Sequence, residues 1–257
     1  MAIKFILLGT GSSIGVPRID GYFGACNSKI KKNYRTRCSA LIKFDDQNIL
    51  FDTSPDLRNQ LLANNIKNIQ KVFYTHNHAD QTHGINDLRV FYLKNKKVIP
   101  IYADLVTSKY LSTAFSYCFK KNFEYPAILK LNKLKKKHIF KNKNKKIFIR
   151  SVEVEHGNIK SMCYIINKSL AYASDVSLIH KKDLKLFKKL NYFIIDCLRY
   201  KEHYSHYNLN KMLELVKIIK PKKTILTNMN NELDYKVLKK NLPNNIEPGF
   251  DGMTINL

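Results

Sequence analysis

Apolar and polar positions divide the chain into two β-rich stretches, each followed by helix-forming segments. Positions 3 to 8 and 40 to 52 carry runs of aliphatic and β-branched residues, and Asp45, Asp46, Gln47 and Asn48 between two apolar stretches read as a hairpin turn. The chain therefore opens as a β-meander. After Asp52, Ser54 and Pro55 carry helix-start chemistry, and Leu57, Leu61 and Leu62 share one face of the helix that follows. Val72, Phe73 and Tyr74 form a short buried strand. A strand near 98 to 102 and an amphipathic helix near 105 to 118 come next, then a Lys-rich stretch from 130 to 146 that reads as a loop or splayed hairpin. Positions 147 to 154, 162 to 166 and 170 to 173 read as strands, with Asn167, Lys168 and Ser169 turning the second pair. Helix and strand then alternate: helices near 181 to 190, 208 to 219 and 233 to 240, and strands at 192 to 197, 223 to 227 and 252 to 256. This order suggests two facing sheets with helices outside. No period of 20 to 50 residues recurs, and no linker interrupts positions 1 to 257, so one domain is expected.

Composition narrows the setting. Hydrophobic residues at 44% suffice for a full core. The apolar run at the start is too short for a secretory segment and ends in Gly9, Thr10, Gly11, Ser12 and Ser13, a tight loop. Nothing else approaches a membrane span. The five cysteines form no CxxC pair, and their odd number suggests free thiols in a reducing, cytoplasmic setting. A net charge of +25 invites a nucleic-acid partner, since clustered Lys and Arg attract phosphate backbones. Only 7 of the 45 basic residues are Arg, however, and Lys, Asn and Ile abound everywhere, the mark of a general drift toward Lys on solvated surfaces. A dedicated nucleic-acid surface is not the favoured reading, and a homodimer is left open.

The chemistry concentrates in Thr75, His76, Asn77, His78, Ala79, Asp80 and Gln81, directly after a buried strand. Two imidazoles two residues apart can converge on one ion from a strand-end loop, and a carboxylate two further on can face a neighbouring ion or a bound water. Taken alone, the same string fits a polar loop. The context adds His156 and Gly157 at the end of a strand, and Asp175 after the strand at 170 to 173.

With HxHxD, a later His and a later Asp each closing a strand, the chain resembles the metallo-β-lactamase superfamily. That resemblance implies an α/β fold, the αββα sandwich of two facing mixed sheets with helices outside. Within it the chain is most similar to the phosphodiesterase branch that includes the phosphoribosyl cyclic phosphate phosphodiesterase. The likeness rests on LGTGSS followed by Gly15, Val16, Pro17 and Arg18; on Gly24, Ala25 and Cys26; and on Arg35, Arg37, Cys38 and Ser39. Positions 196 to 200 and 203 to 209, with Leu233, Asp234 and Tyr235, support it. Transfer-RNA 3′ processing nucleases are more distant relatives.

The resemblance implies that His76, His78 and His156 bind one metal, that Asp175 bridges two, and that Asp80 serves the second and the chemistry. Two positions depart from the pattern: Gln81 stands where many relatives have His, and Asn230 where the last His ligand is expected. Amide oxygens are harder and weaker ligands than imidazole, so the expectation is one or two divalent ions, zinc or manganese, with a labile second site. His83 could repair that site. His206 matches a branch position that could donate a proton to the leaving oxygen, against a plain helix-capping role; His203 fits the motif less directly, and His138 and His180 read as surface residues. Ser12, in the glycine-containing loop, could face an anion, or merely pack beneath the site. Arg37 and Arg89 are candidate phosphate contacts. Cys26 and Cys38 lack the partners for a structural zinc.

The leading function is hydrolysis of a small or cyclic nucleotide-like phosphodiester by a metal-activated water. The alternatives are an RNA 3′-processing endonuclease, favoured by charge, with the Lys133 to Lys146 stretch as a modest arm; a thioester or lactone hydrolase; and a metal-poor binding protein.

Overall fold

The computed structural model describes residues 3 to 123, 125 to 142 and 145 to 257. Its strands are β1 (Lys4–Gly9), β2 (Ser39–Phe44), β3 (Gln47–Phe51), β4 (Lys71–Phe73), β5 (Ile99–Ala103), β6 (Leu129–Lys133), β7 (Lys137–Asn142), β8 (Lys145–His156), β9 (Ile159–Ile166), β10 (Leu170–Ala173), β11 (Tyr192–Asp196), β12 (Lys223–Thr227), β13 (Ile246–Pro248) and β14 (Met253–Asn256). One seven-stranded sheet has the order β14-β1-β2-β3-β4-β5-β6, the other β13-β12-β11-β10-β9-β8-β7. Both are mixed. β3 to β6 run parallel in the first and β10 to β13 in the second, with antiparallel strands completing each.

Side-chain alternation explains the layering. In β1, Phe5 and Leu7 point between the sheets, where they meet Phe51, Phe73, Tyr164, Tyr172, Ile194 and Ile225. Ile6 and Leu8 point the other way, onto a core shared with Leu57, Leu61, Ile85 and Phe91 of the outer helices. The second sheet repeats the scheme, with Ala171, Phe193 and Ile195 facing Met212, Leu215, Val216 and Ile219 of the helix Leu209–Ile219. Helix, sheet, sheet, helix is the αββα sandwich. No helix among the described residues is long and apolar enough to cross a membrane.

Several elements differ from the sequence reading. The Lys-rich stretch is not a loop but β6, β7 and the start of β8, with β7 and β8 paired antiparallel as the hairpin alternative has it and Ile147 and Ile149 anchoring β8 in the inter-sheet core; residues 143 and 144 lie outside the described residues. The helix expected at 181 to 190 shrinks to Leu184–Phe187, since Lys189 adopts a left-handed φ of 62°. His138 is buried rather than exposed: it stacks on Phe140 at 6.0 Å between centroids and accepts a hydrogen bond from Lys135 N. Three residues, Asn167, Lys168 and Ser169, join β9 to β10 as expected; Asn167 and Lys168 are both left-handed, in a turn closed by Ser169 N–H donating to Ile166 O.

Candidate metal centre

Parallel strands β4 and β5 end at the same edge, and the loop after β4 is pinned there. Tyr74 N–H donates to Tyr102 O, extending the pairing. Asp52, in a left-handed conformation just past β3, accepts from Thr75 N at 2.7 Å and Thr75 Oγ1 at 3.0 Å. Thr75 Oγ1 also lies 3.0 Å from His76 Nδ1, fixing that ring so that its other nitrogen, Nε2, is buried without any partner. A buried imidazole nitrogen with nothing to bond is costly unless an ion or donor completes it.

His78 caps the short helix Ala79–Thr82 from the same loop, and His156 closes β8 on the other sheet. His156 Nδ1 is 2.7 Å from Ser205 O and must donate to it, which leaves the Nε2 lone pair facing His78 Nδ1 at 3.4 Å. Gly157 allows this: its φ is 60°, and a Cβ would lie 2.8 Å from Ser205 Cβ. Donor atoms of His76, His78 and His156 all fall within 4.8 Å of one another. Burial drives the His76 ring down to about 3 and lowers His78 and His156 as well, so all three are neutral lone-pair donors near pH 7. Three such nitrogens fit a zinc-type cation.

Asp175 follows β10 and is 3% exposed. Its Oδ1 accepts from Asn228 Nδ2 at 3.0 Å and its Oδ2 from Gln81 Nε2 at 3.1 Å; the Gln81 amide also reaches Asp80 Oδ2 at 3.3 Å. Burial opposes the Asp175 charge, yet the surrounding imidazoles hold its carboxyl low, while burial and then Asp175 push Asp80 up to about 6. One donor atom each of His156, Asp175 and His206 again lie within 4.8 Å of one another. His206 Nδ1 bonds Asp196 Oδ2 at 2.6 Å, and Asp196, wholly buried at the end of β11, also accepts from Val176 N. Burial works against protonation of His206, but the Asp196 charge and hydrogen bond outweigh it and raise the ring to about 9.

The structure thus brings together His76, His78, His156, Asp80, Asp175, Gln81 and His206. It does not bring Asn230, whose side chain turns to Glu232; the amide at the site is Asn228, the first residue past β12, because the left-handed turn there (φ 59°) aims it inward. His83 repairs nothing: it is exposed, bonds Tyr110 OH at 2.9 Å and packs on Phe115. The sequence reading includes Asp196 only as part of the family likeness, without a role, and misses Asn228, although both sit at the end of a strand parallel to β10, the signal already used for Asp175.

Ser12 is buried, its Oγ without a partner and its N–H donating to Met229 O, beside Asn228. Arg37 spends Nε and one terminal nitrogen on the two oxygens of Asp56, at 2.8 and 2.7 Å. It lines a cavity of about 820 Å³ with Ile14, Val16, Ile19 and Tyr34. Arg89 lies elsewhere: its guanidinium sits 4.7 Å over the Tyr125 ring, in a separate cavity lined by Tyr117, Lys120 and Lys121. His180 pairs with Glu155 at 2.8 Å.

Residues 47–229 match the family model described as a β-lactamase superfamily domain. An octanoyltransferase of Porphyromonas gingivalis is 29% identical over 256 residues, which covers 98% of this chain and 51% of that protein, so the chain spans about half the length of the curated relative it matches. A solved structure described as a new diphosphatase from the PhnP family superposes with a TM-score of 0.90 at 28% identity, covering 100% of this chain and 98% of its own. The short form of human tRNase Z gives a TM-score of 0.69 at 16% identity, covering 98% of both chains. Zinc-bound PqqB from Methylobacterium extorquens gives 0.77 at 15%, covering 99% and 100%. The last two are likenesses of fold.

Proposed function

The chain belongs to the β-lactamase superfamily, and we propose that it hydrolyses a small or cyclic nucleotide-like phosphodiester. Membership makes it a metal-dependent hydrolase. The observation that carries the finer reading is the convergence of His76, His78 and His156, with the His76 Nε2 left bare, beside a buried imidazole–carboxylate pair. A divalent cation held by those three nitrogens supplies Lewis acidity toward a phosphoryl oxygen and makes water nucleophilic near neutral pH.

The chain's own groups complete the reaction. Asp175 and Asp80 accept hydrogen bonds from the attacking water and orient it, Asp80 being poised to take its proton because burial has raised it to about 6. His206 donates a proton to the departing oxygen, and Asp196 positions it by holding Nδ1 at 2.6 Å, so that the opposite nitrogen is the one presented. The diphosphatase likeness supports phosphate-ester chemistry. The cavity lined by Ser13 and Arg37 has room for a nucleotide-sized leaving group, with Ile14, Ile19 and Tyr34 offering apolar contact. Octanoyl transfer is left with the longer relative: all five cysteines here are buried and offer no exposed thiol to carry an acyl group.

The test is a panel of bis(p-nitrophenyl) phosphate, cyclic nucleotides, thioesters and precursor transfer RNA, run on protein purified without chelator. Diester turnover that vanishes in His156→Ala supports the reading; turnover of thioesters alone overturns it. A second reading, RNA cleavage, is favoured by a groove of about 1160 Å³ lined by Lys133, Lys135, Lys136, Lys137 and Arg150. Eight Lys or Arg against three carboxylates line that groove, close to the 45 against 20 of the whole chain, so it is scarcely more basic than the rest and the small diester leads.

A further inference from the structure

We infer that this centre is built for a single cation, and that the side-chain amides of Gln81 and Asn228 stand where a second would bind. The inference rests on the hydrolase reading for the first ion. A second ion shared by Asp80 and Asp175 needs oxygen lone pairs turned toward a common point. Three of the four carboxylate oxygens already accept from an amide: Gln81 Nε2 lies between the two carboxylates, 3.3 Å from Asp80 Oδ2 and 3.1 Å from Asp175 Oδ2, and Asn228 Nδ2 donates to Asp175 Oδ1 at 3.0 Å, which leaves Asp80 Oδ1 for the attacking water. Each amide presents N–H hydrogens, which neutralise a carboxylate and repel a cation alike.

Neither amide is free to turn. Asn228 Nδ2 also donates to Ser174 O at 2.9 Å, so rotation by half a turn would set its oxygen against a carbonyl and a carboxylate together. Gln81 is wholly buried, and its backbone is tied at both ends, N–H to His78 O and carbonyl to Thr53 N. Rotating its amide would point an oxygen at two carboxylates and leave the NH2 in the spot where Oε1 now lacks any partner. Of the two nitrogens of nearby His206, Nδ1 is committed to Asp196 and Nε2 is the one presented to the departing oxygen. No imidazole other than His156, already turned toward the first group, and His206 joins Asp175 in a metal-sized cluster among the described residues. The second position is thus filled by hydrogen-bond donors of the chain itself, a stronger statement than a weak or labile site.

Elemental analysis of protein purified without chelator, followed by calorimetric titration with Zn²⁺ and Mn²⁺, tests this directly. One ion per chain is expected, with no second binding event up to millimolar metal. Gln81→Glu keeps the shape but removes the NH2 and adds a carboxylate; it should take up a second ion, as should the double variant Gln81→His with Asn228→His, folding being checked by circular dichroism. Two ions held by the wild-type chain through dialysis overturn the inference and leave the hydrolase reading intact. Gln81→Glu that still binds one ion also overturns it. A wild-type chain that binds none overturns both.

Discussion

The two sheets follow one plan and use it differently. Each runs from antiparallel strands into four that are parallel, β3 to β6 in the first and β10 to β13 in the second. A buried aspartate follows the first of the four in both: Asp52 after β3 and Asp175 after β10. The next strand delivers the main polar residues in both: His76 and His78 after β4, Asp196 at the end of β11. In the first sheet Asp52 turns inward to Thr75 and supports a loop that carries two candidate ligands and Asp80 within five residues. In the second, the loop after β11 is long and folds back, so its contribution is one ring, His206, and the rest comes singly from the ends of β8, β10 and β12. One half concentrates its chemistry in a local string. The other assembles it from strands whose relative registers must all be right.

That contrast can be broken most severely by removing a nitrogen ligand from each half. His76→Ala and His156→Ala should each abolish metal retention and cost several kcal/mol of transition-state stabilisation, roughly 10³-fold or more in kcat, read by metal content and initial rates. Equal losses would show that the two halves contribute symmetrically to the first ion; retention in either variant would dismiss that residue as a ligand.

The next largest effect belongs to the second half alone. His206→Gln should lower turnover of a diester with a poor leaving group by about 10² to 10⁴, as loss of a general acid does, and barely slow release of p-nitrophenolate, which needs no proton. Asp196→Asn should fall between, at roughly 10- to 100-fold for a supporting group, with the same leaving-group dependence. Equal slowing of both substrates in either variant would refute proton donation.

The pH profile sharpens this further. The folded value of His206, about 9, lies above its ordinary 6.5, so the charged ring persists below that range and is lost as pH rises. The stabilisation contributed by the protonated His206 ring disappears as pH rises between 6.5 and 9, while burial pushes its partner Asp196 up to about 7, so the fully charged pair spans roughly 7 to 9. An alkaline limb near 9 in kcat, absent from His206→Gln, is the expected result. The smallest effect should come from Arg89, which stacks on Tyr125 away from the cluster: Arg89→Ala should change small-diester turnover by no more than about twofold, the scale of a surface substitution.

How much of this was legible follows from the same contrast. HxHxD stood out because strand and candidate ligands are contiguous, and strand-end placement singled out His156 and Asp175, whose donor atoms the fold brings into the same clusters. The sandwich followed from strands and helices in order. The last strand-end position was mislocated by two residues, from Asn228 to Asn230, since spacing cannot reveal which residue after β12 takes the left-handed turn. Asp196 was left without a role because that role exists only through His206, ten residues on, brought back by the Tyr207 N–H bond to Val176 O. Arg37 and Arg89 show what residue type alone leaves out, namely the Asp56 carboxylate that Arg37 pairs with and the Tyr125 ring under Arg89.

The pairing of β1 with β14 carries one more consequence. Lys4 lies opposite Asn256, at the end of the sheet remote from the Gly9 to Ser13 loop that borders the metal centre. Lys4 and Asn256 therefore share one corner of the sheet, at the opposite end of β1 from the loop that carries Ser12.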